Sequence, residues 1–365
     1  MLTLRKLPAT ARCHPDPLLR FYFDQLRDHW PSHRWMGGLV MAFGVGESGR
    51  LGISSEERRL IHGRVQPEHY VSMSIRRGIH RLLNPGAIPI RANLLKDKAA
   101  FARFAETERL AAPLTLTSGP AADLMELGDV VLKPSFSSKG RGVVRARRGG
   151  SGWRLTTGER LHPADLELRI ERLTAAGGVA QEGLRAHPLL ADISPDALPT
   201  ARVMTFRIGR QAPVKGLLVL RFGGGGAPVD NFNRGGLVAV PAADGGISIA
   251  WGKAAGRLVE LNRHPATGAS FARSLPSDLL VEASQLAVQA HLRLPADYAV
   301  VGWDIGLSER GPRLIEGNWN PGTALPQLSA GAGLSQMSLG ALYHEALERV
   351  EPEQWEAAGA LELDW

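Results

Sequence analysis

Glu316, Asn318 and Asn320 recur at every second position of LIEGNWNPG, residues 314–322. Alternate side chains of a strand share a face, so these three point the same way. Asp304 is the one acid in the apolar run YAVVGWDIGL that precedes them. Pairing of the two runs as a hairpin brings Asp304 beside Glu316. Asp304, Glu316 and the amide of Asn318 then form a hard-oxygen set suited to Mg²⁺ that also keeps water and phosphate ligands. Repulsion between the two acids falls once a divalent ion sits between them. The competing reading makes both acids exposed, turn-proximal residues.

A second set of residues suits phosphate. In VVLKPSFSSKGRGVV an apolar strand delivers Lys133, a loop of small residues follows, and another strand returns. Gly140 and Gly142 let backbone N–H groups approach an anion while the lysine supplies charge. The loop lacks the Gly-Lys-Ser/Thr of a Walker sequence and leads to a strand instead of a helix, so it is not a P-loop. Lys98 in NLLKDKAAF stands near a helix start, where a solvated lysine is the plain alternative. In QEGL, residues 181–184, a buried-looking strand ends in polar residues. Arg202 opens an apolar strand, and VDNFNRGG places Asp230, Asn231, Asn233 and Arg234 on a glycine-flanked loop that either lines an acceptor pocket or simply turns. His187 and His264 each precede proline and read as loop-fixing residues.

These residues need elements to carry them. Helical spacing appears in DPLLRFYFDQLRDHW and SSEERRLIHGRV, and this first region ends at the turn Asn84-Pro85-Gly86. Asn93 is the expected cap of a helix through LLKDKAAFARFAETERL. The period then changes. DVVLKP, RGVVRA and GGVAQE read as strands, with a helical PADLELRIERL between the last two. ARVMTFRIG, VKGLLVLRFG and GISIAWG are longer strands. Leu279, Leu280, Ala283, Leu286, Ala287 and Ala290 form one face of a helix that Ser277 is expected to cap. The hairpin follows, its strands joined by SERG, and a helix through SQMSLGALYHEALERV ends the fold. Strands grouped with flanking helices, without strict βαβ alternation, predict α+β lobes.

Composition narrows the functional classes. The chain has 365 residues, 44% of them hydrophobic, enough for a sizeable core. No apolar run is long enough to span a membrane, and the N-terminal residues lack the apolar stretch of a secretory signal. One cysteine, Cys13, excludes an intrachain disulfide framework and fits a reducing compartment, so a cytoplasmic location is expected. The net charge of +7 comes mostly from arginines spread along the chain, densest in RGVVRARRGG. We read that cluster as a solvated strand face, with a phosphate-facing edge second. Without a localised basic arm or a recognition motif, nucleic acid is not an expected partner. Lysine is scarce at seven residues, which adds weight to Lys98 and Lys133.

Taken in order, NLLKDKAAF, VLKPSFSSKGRGVV, AQEGL, PTARVMTF, VDNFNRGG, HPATG and VGWDIGLSERGPRLIEGNWNPG resemble the ATP-grasp superfamily over roughly residues 80–325. The resemblance is greatest to its sugar-transfer associated branch, which is related to α-L-glutamate ligases. It implies an ATP-grasp fold, two α+β lobes clasping ATP behind a mainly helical N-terminal region. The expected division is residues 1–90 (acceptor-side region), 91–180 (small lobe), 181–350 (large lobe) and 351–365 (tail). Lys98 and Lys133 would contact the ATP phosphates, and the loop with Ser135, Ser137, Ser138, Gly140 and Gly142 would close over them. Gln181, Glu182 and Leu184 would receive adenine. Asp304, Glu316 and Asn318 would hold one or two Mg²⁺ ions. Arg202, with Lys133, would serve catalysis, Arg202 facing the transferred phosphate or the substrate's acid. The branch has Asn-Thr-x-Arg where this chain has Pro199-Thr200-Ala201-Arg202, which puts the pose of the preceding loop in doubt. Asp230, Asn231, Asn233 and Asn320 are candidate substrate contacts, Asn320 alternatively a turn former. The implied activity is ligation of a carboxylic acid, a sugar acid or amino acid, to an amine or thiol through an acyl phosphate. It fits polysaccharide or natural-product biosynthesis. A kinase of the same fold and a non-catalytic nucleotide-binding module are the alternatives.

Overall fold

The computed structural model describes residues 15–29, 52–136, 140–225, 232 and 235–358. The expected helical start is present in three helices, α1 Pro17–His29, α2 Ser55–Ile61 and α3 Met73–Leu83. Ser54 caps α2 in a reciprocal box with Glu57, satisfying end groups that a helix leaves bare. Ile75, Ile79, Leu82 and Leu83 recur at helical spacing along α3 and are buried with Leu18, Leu19 and Tyr22 of α1.

The next helix, α4 Lys98–Thr107, begins later than expected. Asp97 caps it, accepting from the amides of Ala99 and Ala100. Asn93 instead closes a turn upstream, taking the amide of Leu95 at 2.9 Å and the hydroxyl of Tyr298 at 3.1 Å. A distant tyrosine thus competes for the side chain that local sequence assigns to the helix.

A sheet of six antiparallel strands follows: β1 Thr115–Leu116, β2 Asp129–Lys133, β3 Val144–Gly149, β4 Gly152–Leu155, β5 Arg160–Leu161 and β6 Val179–Glu182, in the order β1-β6-β2-β3-β4-β5. Helices α5 Ala122–Glu126 and α6 Pro163–Ala175 cover it through Leu124, Leu166 and Ile170 packed on Val130, Leu132, Ala146 and Trp153. The arginine cluster of β3 is only in part the solvated face expected. Arg147 and Arg148 are exposed, whereas Arg145 is buried and forms two 2.7 Å bonds to Asp129.

The larger sheet uses β7 Thr200–Phe206, β8 Val214–Phe222, β9 Leu237–Ala239, β11 Ala250–Ala254, β12 Arg257–Leu261, β14 Val300–Ser308 and β15 Gly311–Asn318, ordered β12-β11-β9-β8-β7-β14-β15. The expected strand GISIAWG is broken. Its first half, β10 Gly246–Ile247, pairs with β13 Arg273–Ser274, and only its second half joins this sheet as β11. Helix α7 Ser277–Arg293 buries Leu279, Ala283, Leu286, Ala287 and Ala290 against Val203, Leu220, Val301, Trp303 and Ile305. Pro276 takes the cap position, so Ser277 is already helical and its hydroxyl caps nothing. In this core the indole N–H of Trp303 donates to the Thr205 hydroxyl at 2.8 Å, and Thr205 is bonded in turn to His291. Helices α8 Ala324–Ala330, α9 Ser338–Glu348 and α10 Pro352–Ala358 return the chain to α1 and α3. No helix among the described residues is long and apolar enough to cross a membrane.

Candidate active site

Strand β14 is buried along its whole length, so its alternation sorts side chains between two protein-covered faces. Trp303 enters the core under α7, and Asp304 points to the other side, into a cleft of ≈ 1320 Å³. In the hairpin, Asp304 stands directly opposite Glu316 and Gly302 opposite Asn318. The register shifts next to this pair and leaves Ile315 unmatched, a bulge of the kind that re-aims side chains beside functional sites. Gly317 separates Glu316 from Asn318 for a steric reason. A Cβ there would lie 2.7 Å from Leu95 Cδ2 and 3.0 Å from the Trp303 ring.

Lys98, Lys133, Gly140, Gln181, Glu182 and Leu184 line the same cleft as Arg202, Asp304, Glu316, Asn318 and Asn320. Tertiary folding therefore brings together residues separated by up to 222 positions in the chain, Lys98 and Asn320 being the extremes. Lys133, at the end of β2, donates to Gln181 Oε1 on the neighbouring β6 at 2.6 Å. Glu182 accepts from the amide of Leu114 and from Arg310, so its carboxylate is committed to structure. The buried Leu184 offers its carbonyl to Arg145 at 2.9 Å. Ser135 and Gly142 belong to the loop but not to the cleft wall. Ser135 lies against Gly177, and Gly142, at φ +71°, packs against Pro134. Ser137, Ser138, Asp230, Asn231, Asn233 and Arg234 lie outside the described residues. Trp319, between Asn318 and Asn320, packs against the core.

Charge organises the floor of the cleft. Asp304 accepts a forked pair of bonds from Arg202 and a third, 2.8 Å, from Arg221 on β8. Burial opposes its ionisation, but the two guanidiniums outweigh burial and hold its carboxyl well below the usual range. Glu316 moves the opposite way. Burial, the Asp304 charge and a hydrogen bond shared with Asp304 all raise it, while Lys133 and Arg202 oppose the rise. Lys98 is lowered to about 8 by burial, with the Glu316 charge acting against the shift and Lys133 adding to it.

The oxygen donors fit Mg²⁺. Glu316 is a carboxylate whose negative form lacks a sufficient cation, and Asn318 uses its amide nitrogen on the Gly302 carbonyl at 3.3 Å, leaving Oδ1 outside that bond. Asp304 fits less simply, because arginines already occupy it. Among the described residues no group of three His, Cys, Asp or Glu side chains is placed to hold a metal. An ion here would rely on few protein oxygens and on those of a phosphate ligand, which is the usual habit of Mg²⁺.

Asn320 has a partner that sequence did not reveal. His80 of α3 lies 2.8 Å from its Oδ1 through Nδ1 and 2.7 Å from the Tyr343 hydroxyl through Nε2. Burial lowers His80 to about 3, so it is neutral, donates from Nδ1 to Asn320 and accepts from Tyr343. Arg76, Arg77, Lys96, Arg221 and Lys253 also line the cleft and were missed, whereas Arg141, which lines it too, opens the RGVVRARRGG cluster. Arg221 was findable, since it ends an apolar strand much as Arg202 begins one. The other arginines are hidden by the chain's general arginine excess.

Among solved structures, the chain is similar to L-amino acid ligase from Bacillus licheniformis, with TM-score 0.41, 15% identity, and 71% of this chain and 51% of that one covered. It is also similar to D-alanine–D-alanine ligase from Bacillus anthracis, with TM-score 0.39, 13% identity, and coverage of 72% and 70%. A third is N5-carboxyaminoimidazole ribonucleotide synthetase from Thermotoga maritima, with TM-score 0.35, 15% identity, and coverage of 65% and 45%. The chain spans about half the length of the first of these. No curated protein matches the sequence. The model of the family described as sugar-transfer associated ATP-grasp matches residues 79–341, well over half the chain and all of the cleft's hairpin. The protein belongs to the sugar-transfer associated ATP-grasp family.

Proposed function

We propose that the protein is an ATP- and Mg²⁺-dependent ligase joining a sugar acid or amino acid to an amine or thiol. The observation that carries this reading is the cleft itself, where Lys98 and Lys133 share one space with Arg202, Asp304, Glu316 and Asn318. Lysines, an arginine and hard oxygens stabilise a migrating phosphoryl group without a protein nucleophile. Lys98 and Lys133 hold the ATP phosphates, and the loop containing Ser135, Ser137, Ser138, Gly140 and Gly142 covers them. Gln181, Glu182 and Leu184 form the edge beside the base. Glu316 and Asn318, with Asp304, would hold Mg²⁺, which when bound would supply positive charge to the phosphate oxygens.

The substrate carboxylate attacks the γ-phosphate, giving an acyl phosphate and ADP. The amine or thiol then adds to the carbonyl, and inorganic phosphate leaves. Arg202 orients the phosphoryl group and balances charge on the tetrahedral intermediate. Residues 91–180 and 181–350 supply the two walls, and residues 1–90 bound the acceptor side. Products of this kind suit the assembly of surface polysaccharide or natural-product precursors in the cytoplasm.

Incubation with ATP, Mg²⁺ and hydroxylamine over a panel of sugar acids and amino acids tests the reading. Acid-dependent ADP release with a hydroxamate product is expected. A phosphorylated hydroxyl without hydroxamate would identify a kinase instead. No acid-dependent ADP release with any member of the panel would overturn the ligase assignment.

A further inference from the structure

The cleft's arginines differ in what answers their charge. Arg202 and Arg221 are bonded to Asp304, and Arg145 to Asp129. Arg76, on α3, also lines the cleft, yet its buried Nε meets no hydrogen-bond acceptor among the described residues. The nearby acid, Glu57, is already taken. Its two oxygens accept from the Ser54 amide and hydroxyl, the Met73 amide and the Tyr70 hydroxyl. Burial depresses the Arg76 guanidinium and Arg77 adds to the shift, against the weaker opposing influence of Tyr343, Tyr70 and Glu57. A folded protein rarely leaves such a group unsatisfied, and an arginine fork is shaped for a planar or tetrahedral oxyanion.

Its position indicates where that oxyanion belongs. A Cβ on Gly322 would lie 3.5 Å from Arg76 Nη1, so the guanidinium sits at the turn leaving the Glu316–Asn318 row. The preceding residue, Pro321, stands over Gly302, where Arg202 Cδ also approaches. Arg76 and Arg202 thus flank one turn, with Arg202 on the carboxylate pair and Arg76 on the side of the N-terminal helices. Lys133 comes from the six-stranded sheet, whereas Lys98 stands at the start of α4, whose Phe101 and Ala105 pack in the core of the larger sheet. Arg76 also precedes the segment matched by the family model, which starts at residue 79, so it is a contribution of this chain's own N-terminal region.

We infer that Arg76 receives a carboxylate or phosphate group of the acceptor-side substrate, making that substrate anionic at a point separate from ATP. The inference rests on the ligase reading for the word substrate, although the anion site itself does not depend on turnover. Arg76 is here a specificity-determining residue, with no part in the bond-making steps.

The test is calorimetric titration of malonate and, separately, inorganic phosphate into the full chain preloaded with Mg²⁺ and a non-hydrolysable ATP analogue. The wild type is expected to bind at least one of the two probes, and the stronger one identifies the group as carboxylate or phosphate. Arg76→Gln should weaken that binding by ~30-fold or more, the usual cost of removing one partner from a sheltered ion pair, and Arg76→Lys should fall between. Analogue affinity should not change. Without ligand, Arg76→Gln should melt at the same or a higher temperature, because a partly buried cation whose Nε lacks an acceptor is removed. A structural arginine would show the reverse. Equal probe binding by both proteins, no binding to the wild type, or lost affinity for the ATP analogue instead of the probe would each overturn the inference. Failure of the wild type to bind the analogue would count against the ligase reading alone, and the same titrations without analogue would still read Arg76.

Discussion

Glu316 and Asp304 are chemically alike and face each other, yet the fold gives them opposite acidities. Asp304 has two arginines, whereas Glu316 has burial and a negative neighbour. Unfolded, Glu316 releases its proton near pH 4.5, and folded it holds the proton to higher pH. Between those values unfolding releases a proton, so this residue costs more stability as pH rises. Glu316→Gln removes that cost. The variant should melt higher than wild type at neutral pH without divalent ion, with the difference vanishing below about pH 4. Its Mg²⁺-dependent ADP release should be abolished. Calorimetric melting across pH and a coupled ADP assay check both, and wild-type turnover would remove Glu316 from the metal site. Asn320 carries a related lesson. Its alternation with Glu316 and Asn318 was plain in LIEGNWNPG, but the reason for an amide was the neutral His80, 240 residues earlier.

At the scale of elements, Asp304 is a clamp. It sits on β14, while Arg202 and Arg221 reach it from β7 and β8, two successive strands of the same sheet. Asp304→Asn leaves both guanidiniums sheltered and under-compensated, and breaking a buried ion pair from one side costs about 3–5 kcal/mol. The urea midpoint of that variant should fall accordingly. The wild type should lose the same contribution on acidification, because a depressed carboxyl stabilises the fold above its ordinary value near 3.8 and ceases to do so as pH drops through its folded value. A midpoint equal to wild type at pH 7 would show that the clamp is without energetic consequence. Sequence predicted β7, β8, β14, β15 and α7 well, because burial makes the strands apolar runs and gives the helix its apolar stripe. It failed at GISIAWG, where a single apolar run serves two sheets, at Asn93, which a distant tyrosine engages, and at Ser277, where the neighbouring Pro276 takes the cap position.

Across the whole molecule, Asn84 joins the N-terminal helices to the β14–β15 hairpin. Fully buried, it donates to the carbonyls of Val300 and Trp319 and accepts from the amides of Ala299 and Val300. The same side chain therefore touches the start of β14 and the end of the acid–amide row. Asn84→Ala leaves several buried backbone groups without partners, at about 1–3 kcal/mol for each that water cannot reach. The variant should unfold at lower urea and expose the segment around α3 to limited proteolysis. Undiminished stability with wild-type proteolysis would show the joint to be dispensable.

Sequence by itself determined the parts list and the family. The order of motifs, the Asp304 and Glu316 hairpin, the two lysines and the helical start were all legible, because strand alternation, helix period and glycine turns are local properties that leave a local trace. Tertiary structure alone decided what the charges do. Whether an arginine is a clamp, like Arg221, or keeps a buried Nε without an acceptor, like Arg76, depends on which acid arrives from another element. Electrostatic interactions act through space, and spacing along the chain says nothing of a partner 83 residues away, as with Arg221 and Asp304.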